Sequence, residues 1–108
     1  MSDQIEAVEF YWRQGCGFCM SLERGLNKAG IPINKHNIWE DPANAERVRS
    51  VARGNETVPT VFVAETALVN PRVGEVIDVL ESEAPHLLPE ETARDNTAGR
   101  LKQRLFGS

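Results

Sequence analysis

Residues 5–19 read IEAVEFYWRQGCGFC, and the change of periodicity within this stretch decides the fold. From Ile5 to Tyr11 the apolar residues are nearly continuous, as in a strand covered on both faces of a sheet. Beyond Cys16 the apolar residues Leu22, Leu26 and Ala29 recur at helical spacing. Arg13 to Gly15 is the loop between. Cys16-Gly17-Phe18-Cys19 falls at that junction and holds both cysteines of the chain. A Cys-x-x-Cys pair where a strand passes into a helix reads as a thiol–disulfide redox site.

The spacing has a physical reason. The first turn of a helix has backbone N–H groups without an intrahelical partner, and the macrodipole places partial positive charge there. A cysteine at that end is held as the thiolate and titrates at about 3.5–7.5 instead of about 8.5. A second cysteine one turn further in is close enough to attack a disulfide formed on the first. Cys16 is therefore the expected attacking thiol and Cys19 the resolving one. Gly17 and Phe18 carry no charge; they shape the turn and offer an aromatic surface beside the sulfur. Arg13 is expected to bring positive charge near the thiolate.

Two plainer readings compete. The pair could be half of a zinc site, but a closed site needs four ligands, and His36 and His86 lack the paired spacing of a zinc motif. The pair could also be two inert buried cysteines, since free cysteine often behaves as a small hydrophobe.

A chain of 108 residues is expected to form one domain with a core that needs no staples. The net charge of −4 is too mild to suggest nucleic acid or an anionic membrane surface as a partner. No apolar run approaches the roughly 20 residues of a membrane span. Met1-Ser2-Asp3-Gln4 shows no basic segment leading into an apolar core, so no secretory signal is expected. A cytoplasmic monomer is the expectation, and in that compartment a Cys-x-x-Cys cycles between dithiol and disulfide.

In chain order, the predicted first helix runs from Cys16 or Gly17 to Ala29 and is stopped by Gly30 and Pro32. Ile33 to Ile38 alternates as a second strand, with His36 as a surface residue. Asp41 as N-cap and Pro42 at the first position open a second helix to about Arg53, its arginines a solvated face. Thr57-Val58-Pro59 leads into a third strand, Thr60 to Ala64; a proline at that place belongs at a strand start. Glu65-Thr66 reads as a tight turn into a strand over Ala67 to Val69. Asn70 as cap and Pro71 at the first position would open a third helix, Arg72 to about Glu83, whose apolar face is Val73, Val76, Ile77 and Leu80. The order β-α-β-α-β-β-α implies an α/β fold, a parallel crossover unit followed by an antiparallel hairpin and a closing helix.

This arrangement resembles the glutaredoxin branch of the thioredoxin superfamily, and in particular the actinobacterial mycoredoxins. The residues that carry the resemblance are Cys16-Gly17-Phe18-Cys19, Asn55-x-Thr57-Val58-Pro59-Thr60-Val61 and Leu68-x-Asn70-Pro71, and it covers about residues 5–83. It implies a thioredoxin-like four-stranded mixed sheet flanked by three helices. It implies that Cys16 attacks a mixed disulfide between a protein and a low-molecular-weight thiol. Pro59 would be a cis-proline facing the cysteines, Val58 would offer its backbone to the substrate, and Thr57 would line the same groove. Asn70 and Pro71 stand where many glutaredoxins carry a Gly-Gly pair that contacts glutathione. Mycoredoxins similarly carry Asn-Pro and use mycothiol, so mycothiol is the co-substrate the resemblance favours. Arg13 stands where glutaredoxins often place a lysine, and Gly17 where many have proline. No bound cofactor or metal is implied.

Three functions remain open on the sequence. One is an oxidoreductase for thiolated client proteins, recycled by mycothiol. Another is a dithiol electron donor recycled by a flavoprotein such as thioredoxin reductase, and the last is a non-enzymatic metal-, cluster- or protein-binding module. Residues 84–108 lie outside the resemblance and are expected to form an extension to the domain at 1–83. The stretch Glu90 to Phe106 mixes Leu101, Leu105 and Phe106 with Arg100, Lys102 and Arg104, a pattern open to a short docked helix or a solvated tail.

Overall fold

In the computed structural model, which describes residues 5–89, seven strands and α-helices follow one another, and a short 3-10 turn (Pro85–Leu87) comes after them. They are β1 (Val8–Trp12), α1 (Gly17–Lys28), β2 (Ile33–Asn37), α2 (Pro42–Val51), β3 (Thr60–Val63), β4 (Thr66–Val69) and α3 (Val73–Glu83). The expectations for residues 90–108 lie outside the described part. The sheet order is β2-β1-β3-β4. β1 pairs parallel with β2, Val8 opposite Ile33, and antiparallel with β3, Phe10 opposite Val61. The mixed four-stranded sheet with three helices is the thioredoxin-like architecture.

The near-continuous apolar run of β1 has the cause expected of it, because both faces of the sheet are covered. Val8 and Phe10 face one way and join Val61, Val63, Leu22, Leu26, Val76 and Leu80 in the larger core. Tyr11 faces the other way with Phe62, where Ala45, Val48 and Ala52 of α2 cover them. Each fully buried side chain of this size contributes roughly 1.5–3 kcal/mol. The core continues past Glu83. Ala84, Leu87 and Leu88 are buried in it, and His86 Nε2 lies 2.7 Å from the Ile5 carbonyl oxygen.

Most boundaries shift by one to three residues. The hairpin turn is Ala64-Glu65 instead of Glu65-Thr66, with Val63 opposite Thr66 and Ala64 left-handed at φ 56°. A two-residue hairpin needs positive φ in its turn, and no glycine or asparagine marks the place. The second helix does open as expected, with Asp41 Oδ1 accepting the Ala43 N–H at 2.9 Å. The third does not. Asn70 is not its cap but sits at φ 53°, and Arg72 is the capping residue, its N–H donated to Glu75 Oε1 at 2.8 Å. The start of α3 then lies against α1, where a side chain at Gly25 would come within 3.2 Å of Val73 Cβ. That close approach leaves little room for a larger residue at Gly25 and sets one wall of the site described below.

On the α2 face the arginines are more than a solvated surface. The Arg47 guanidinium lies 4.1 Å from the Phe62 ring centroid, and Arg49 pairs with Glu56 at 2.6 Å. His36 is half-buried, stacked on Tyr11 at 4.6 Å, and its Nε2 meets Glu9 Oε1 at 2.6 Å. Burial pushes the Tyr11 phenol above its ordinary value of 10.0, with Arg47 partly opposing. As pH rises through that ordinary value the unfolded chain loses this proton first, so the native state is disfavoured there. Denaturant titrations across the alkaline range should show stability falling with pH, and Tyr11→Phe should make the fall shallower. An unchanged slope in the variant would remove Tyr11 from the account.

Candidate active site

Cys16 does not begin α1; it caps it. Its backbone is extended (φ −99°, ψ 103°), and its sulfur accepts the Cys19 N–H at 3.0 Å. The side chain thus takes the place that serine or aspartate usually fills, on an orphan donor of the first turn. A hydrogen bond to sulfur at the positive end of a helix favours the thiolate over the thiol. Cys16 and Cys19 are joined as a disulfide with Cα atoms 5.2 Å apart. Cys19 is 1% exposed and Cys16 6%, so what little of the pair meets solvent is on the Cys16 side.

The Val58–Pro59 peptide is cis and faces this pair, and the Val58 carbonyl oxygen lies 3.8 Å from Cys16 Sγ. Two hydrogen bonds pin the proline loop. Thr60 Oγ1 donates to the Thr57 carbonyl at 2.8 Å, and the Asn70 N–H donates to the Pro59 carbonyl at 2.7 Å. The second bond explains the left-handed backbone of Asn70, because it ties the lead-in to α3 directly to the loop beside the cysteines.

A groove of about 480 Å³ opens along the first turns of α1, the helix that Cys16 caps. One wall is α1, through Phe18, Ser21 and Leu22; the other is the lead-in to α3, through Asn70, Pro71, Arg72 and Val73. Of the residues expected at the site, Phe18, Asn70 and Pro71 line this groove. Val58 and Pro59 lie at the sulfurs instead. Thr57 contributes its carbonyl to the proline loop, and Gly17 is exposed at the first position of α1. The Arg13 guanidinium lies 5.5 Å from the Trp39 ring centroid, and Nη1 donates to the Gln14 carbonyl at 2.9 Å. Ser21 and Leu22 escaped the sequence reading, although their i+3 and i+4 spacing from Phe18 could have found them. Arg72, Val73 and Trp39 had no such signal. Among the described residues, no three His, Cys, Asp or Glu side chains are grouped so as to hold a metal ion. No described helix is long and apolar enough to cross a membrane.

A Cys-x-x-Cys pair capping the first helix of this sheet, opposite a cis-proline loop, defines a thiol–disulfide oxidoreductase of the thioredoxin-like class. The glutaredoxin family model matches residues 8–68, and the chain belongs to that family. A glutaredoxin-named protein of Mycobacterium tuberculosis is 39% identical over 71 residues, 65% of this chain and 84% of its own length. Mycoredoxin 1 of Corynebacterium glutamicum is 36% identical over 76 residues, 69% of this chain and 94% of its own. Among solved structures, the NrdH-redoxin of Escherichia coli superposes with a TM-score of 0.59 at 22% identity, covering 68% of this chain and 95% of its own. The buckwheat glutaredoxin–glutathione complex gives 0.52 at 15%, covering 80% and 78%. These two likenesses are of fold.

Proposed function

We propose that this glutaredoxin reduces mixed disulfides between proteins and a low-molecular-weight thiol, and that a sugar-bearing thiol such as mycothiol suits it better than glutathione. The observation that carries the reading is the groove between the first turns of α1 and the lead-in to α3. It offers an aromatic face (Phe18, 73% exposed), a hydroxyl (Ser21) and an amide (Asn70), and Arg72 is its one charged side chain. The ammonium of glutathione finds no carboxylate in that lining. The hydroxyls and ring faces of a sugar find hydrogen-bonding groups and an aromatic surface to stack on. The likeness to a mycoredoxin supports the same choice.

The chemistry then runs as thiol–disulfide exchange. The Cys16 thiolate, held by the Cys19 N–H, attacks the small thiol's sulfur in the mixed disulfide. The bond to the client breaks, and the client cysteine leaves as a thiolate that takes a proton from solvent. Cys16 is now joined to the small thiol, whose body lies in the groove against Asn70 and Pro71. The Val58 backbone and Pro59 align the reacting disulfide. A second molecule of the small thiol can attack, releasing the small-thiol disulfide and restoring the Cys16 thiolate. Alternatively Cys19 attacks Cys16, forming the internal disulfide and freeing the small thiol; two further thiols or a flavoprotein disulfide reductase then supply the two electrons.

The test is turnover of one peptide carried as its mycothiol and as its glutathione mixed disulfide. The expected result is a kcat/KM for mycothiol at least about tenfold above that for glutathione, a difference of 1.4 kcal/mol. Equal use of both would remove the sugar preference. Reaction with neither, but disulfide reduction driven by NADPH and thioredoxin reductase, would replace the reading by that of a dithiol electron donor. Inactivity in every assay would turn attention to metal or cluster binding.

A further inference from the structure

The groove accounts for one side of Cys16. With the strands in the order β2-β1-β3-β4, it ends on residues that follow β4, whereas the turn after β2 lies on the far side of the cysteine. On that side Trp39 stands 60% exposed. A lone exposed apolar residue needs no explanation, but this one is built in place. The buried Asn37 accepts the Trp39 N–H on Oδ1 at 2.8 Å, and the Asn37 carbonyl accepts the Glu40 N–H at 3.1 Å and Asn44 Nδ2 at 3.2 Å. The ring carries the Arg13 guanidinium, and Arg13 Nη1 lies 3.9 Å from where a side chain on Gly15 would begin. Ring, guanidinium and loop thus form one surface that runs up to the residue before Cys16.

We propose that the Trp39–Arg13 pair is the docking platform for the client protein, receiving an extended stretch of polypeptide around the linked cysteine. The inference rests on the mixed-disulfide reading above. In the exchange step the small thiol's sulfur lies between Cys16 and the client sulfur, so a small thiol seated in the groove leaves the client outside it. Trp39 does not line the groove. Between the two sides, the Val58 N–H makes no hydrogen bond among the described residues. Among those residues no acceptor takes it, and an extended segment can pair on it as it passes toward Trp39. Aromatic and arginine side chains are the usual anchors of recognition surfaces, and here the backbone of the turn that carries Trp39 is already held.

The experiment uses two substrates that share mycothiol and differ in the leaving thiol, a twelve-residue cysteine peptide in one and 2-mercaptoethanol in the other. Trp39→Ala should lower kcat/KM for the peptide substrate about tenfold, the scale of one aromatic anchor. The mercaptoethanol substrate should stay within about twofold, as for a surface change away from the reacting groups. Trp39→Phe should restore most of the loss, and matching melting curves of the variants establish that they fold. Equal loss on both substrates would assign Trp39 to the small thiol or to Cys16 and overturn the proposal, as would no loss on either. Wild-type protein that turns over neither substrate would instead overturn the mixed-disulfide reading itself.

Discussion

Cys16→Ser abolishes mixed-disulfide turnover, with an expected loss of at least about a thousandfold, because an alcohol neither ionises near neutral pH nor attacks sulfur as a thiolate does. Cys19→Ser keeps single-thiol turnover within about threefold of wild type when excess small thiol is supplied, since no step of that route needs a second sulfur. The difference follows from the geometry. Cys19 supports Cys16 through its backbone N–H, 3.0 Å from the sulfur, and a serine retains that donor. Cys19 is also almost wholly buried, so an intermolecular disulfide reaches Cys16 first. The checking measurement is steady-state turnover of a peptide–mycothiol disulfide by wild type and both variants, with mass spectrometry to find the trapped adduct. Cys19→Ser should accumulate a small-thiol adduct on Cys16. Loss of all turnover in Cys19→Ser would mean that every cycle passes through the internal disulfide, and would favour the electron-donor reading.

Phe10→Ala should be the most damaging change away from the cysteines. Phe10 lies in β1, between β2 and β3, with no exposed surface, and its side chain belongs to the core shared by α1 and α3. Removing a ring from such a site costs about 3–5 kcal/mol through lost transfer energy and the cavity left behind. Against a total stability of roughly 5–15 kcal/mol this is a large share. The melting temperature of the oxidised protein should fall by roughly 12–30 °C, at several degrees for each kcal/mol in a domain of this size. Met20→Ala, on the exposed side of α1, should change stability by no more than about 0.5 kcal/mol, as surface substitutions do. Calorimetry or denaturant titration of the two variants decides it. A small effect of Phe10→Ala would mean that β1 is not the packed centre of the sheet.

Much of the fold was legible because its signals are local. The apolar run of β1, the helical spacing after Cys16, the Asp41-Pro42 helix start and the proline before β3 each act through a few neighbouring residues. The cysteine pair was legible for the same reason, since a helix start and a spacing of three mark the pair as a redox site and make Cys16 the expected attacking sulfur. Where the reading failed, a distant partner had intervened. Asn70 looked like a helix cap, but its N–H is taken by the Pro59 carbonyl, so capping passes to Arg72 and Glu75.

The sequence by itself determined the strand–helix junction, the identity of the two reactive sulfurs and the order of the elements. Each is a matter of residue type and period along the chain. Only the tertiary structure decided what surrounds those sulfurs: the proline loop facing Cys16, the groove closed by residues more than forty positions apart, and the Trp39–Arg13 surface on the other side. These depend on how strands β1 to β4 are ordered and how closely α3 approaches α1 over Gly25, and no local propensity encodes contacts between segments so far apart.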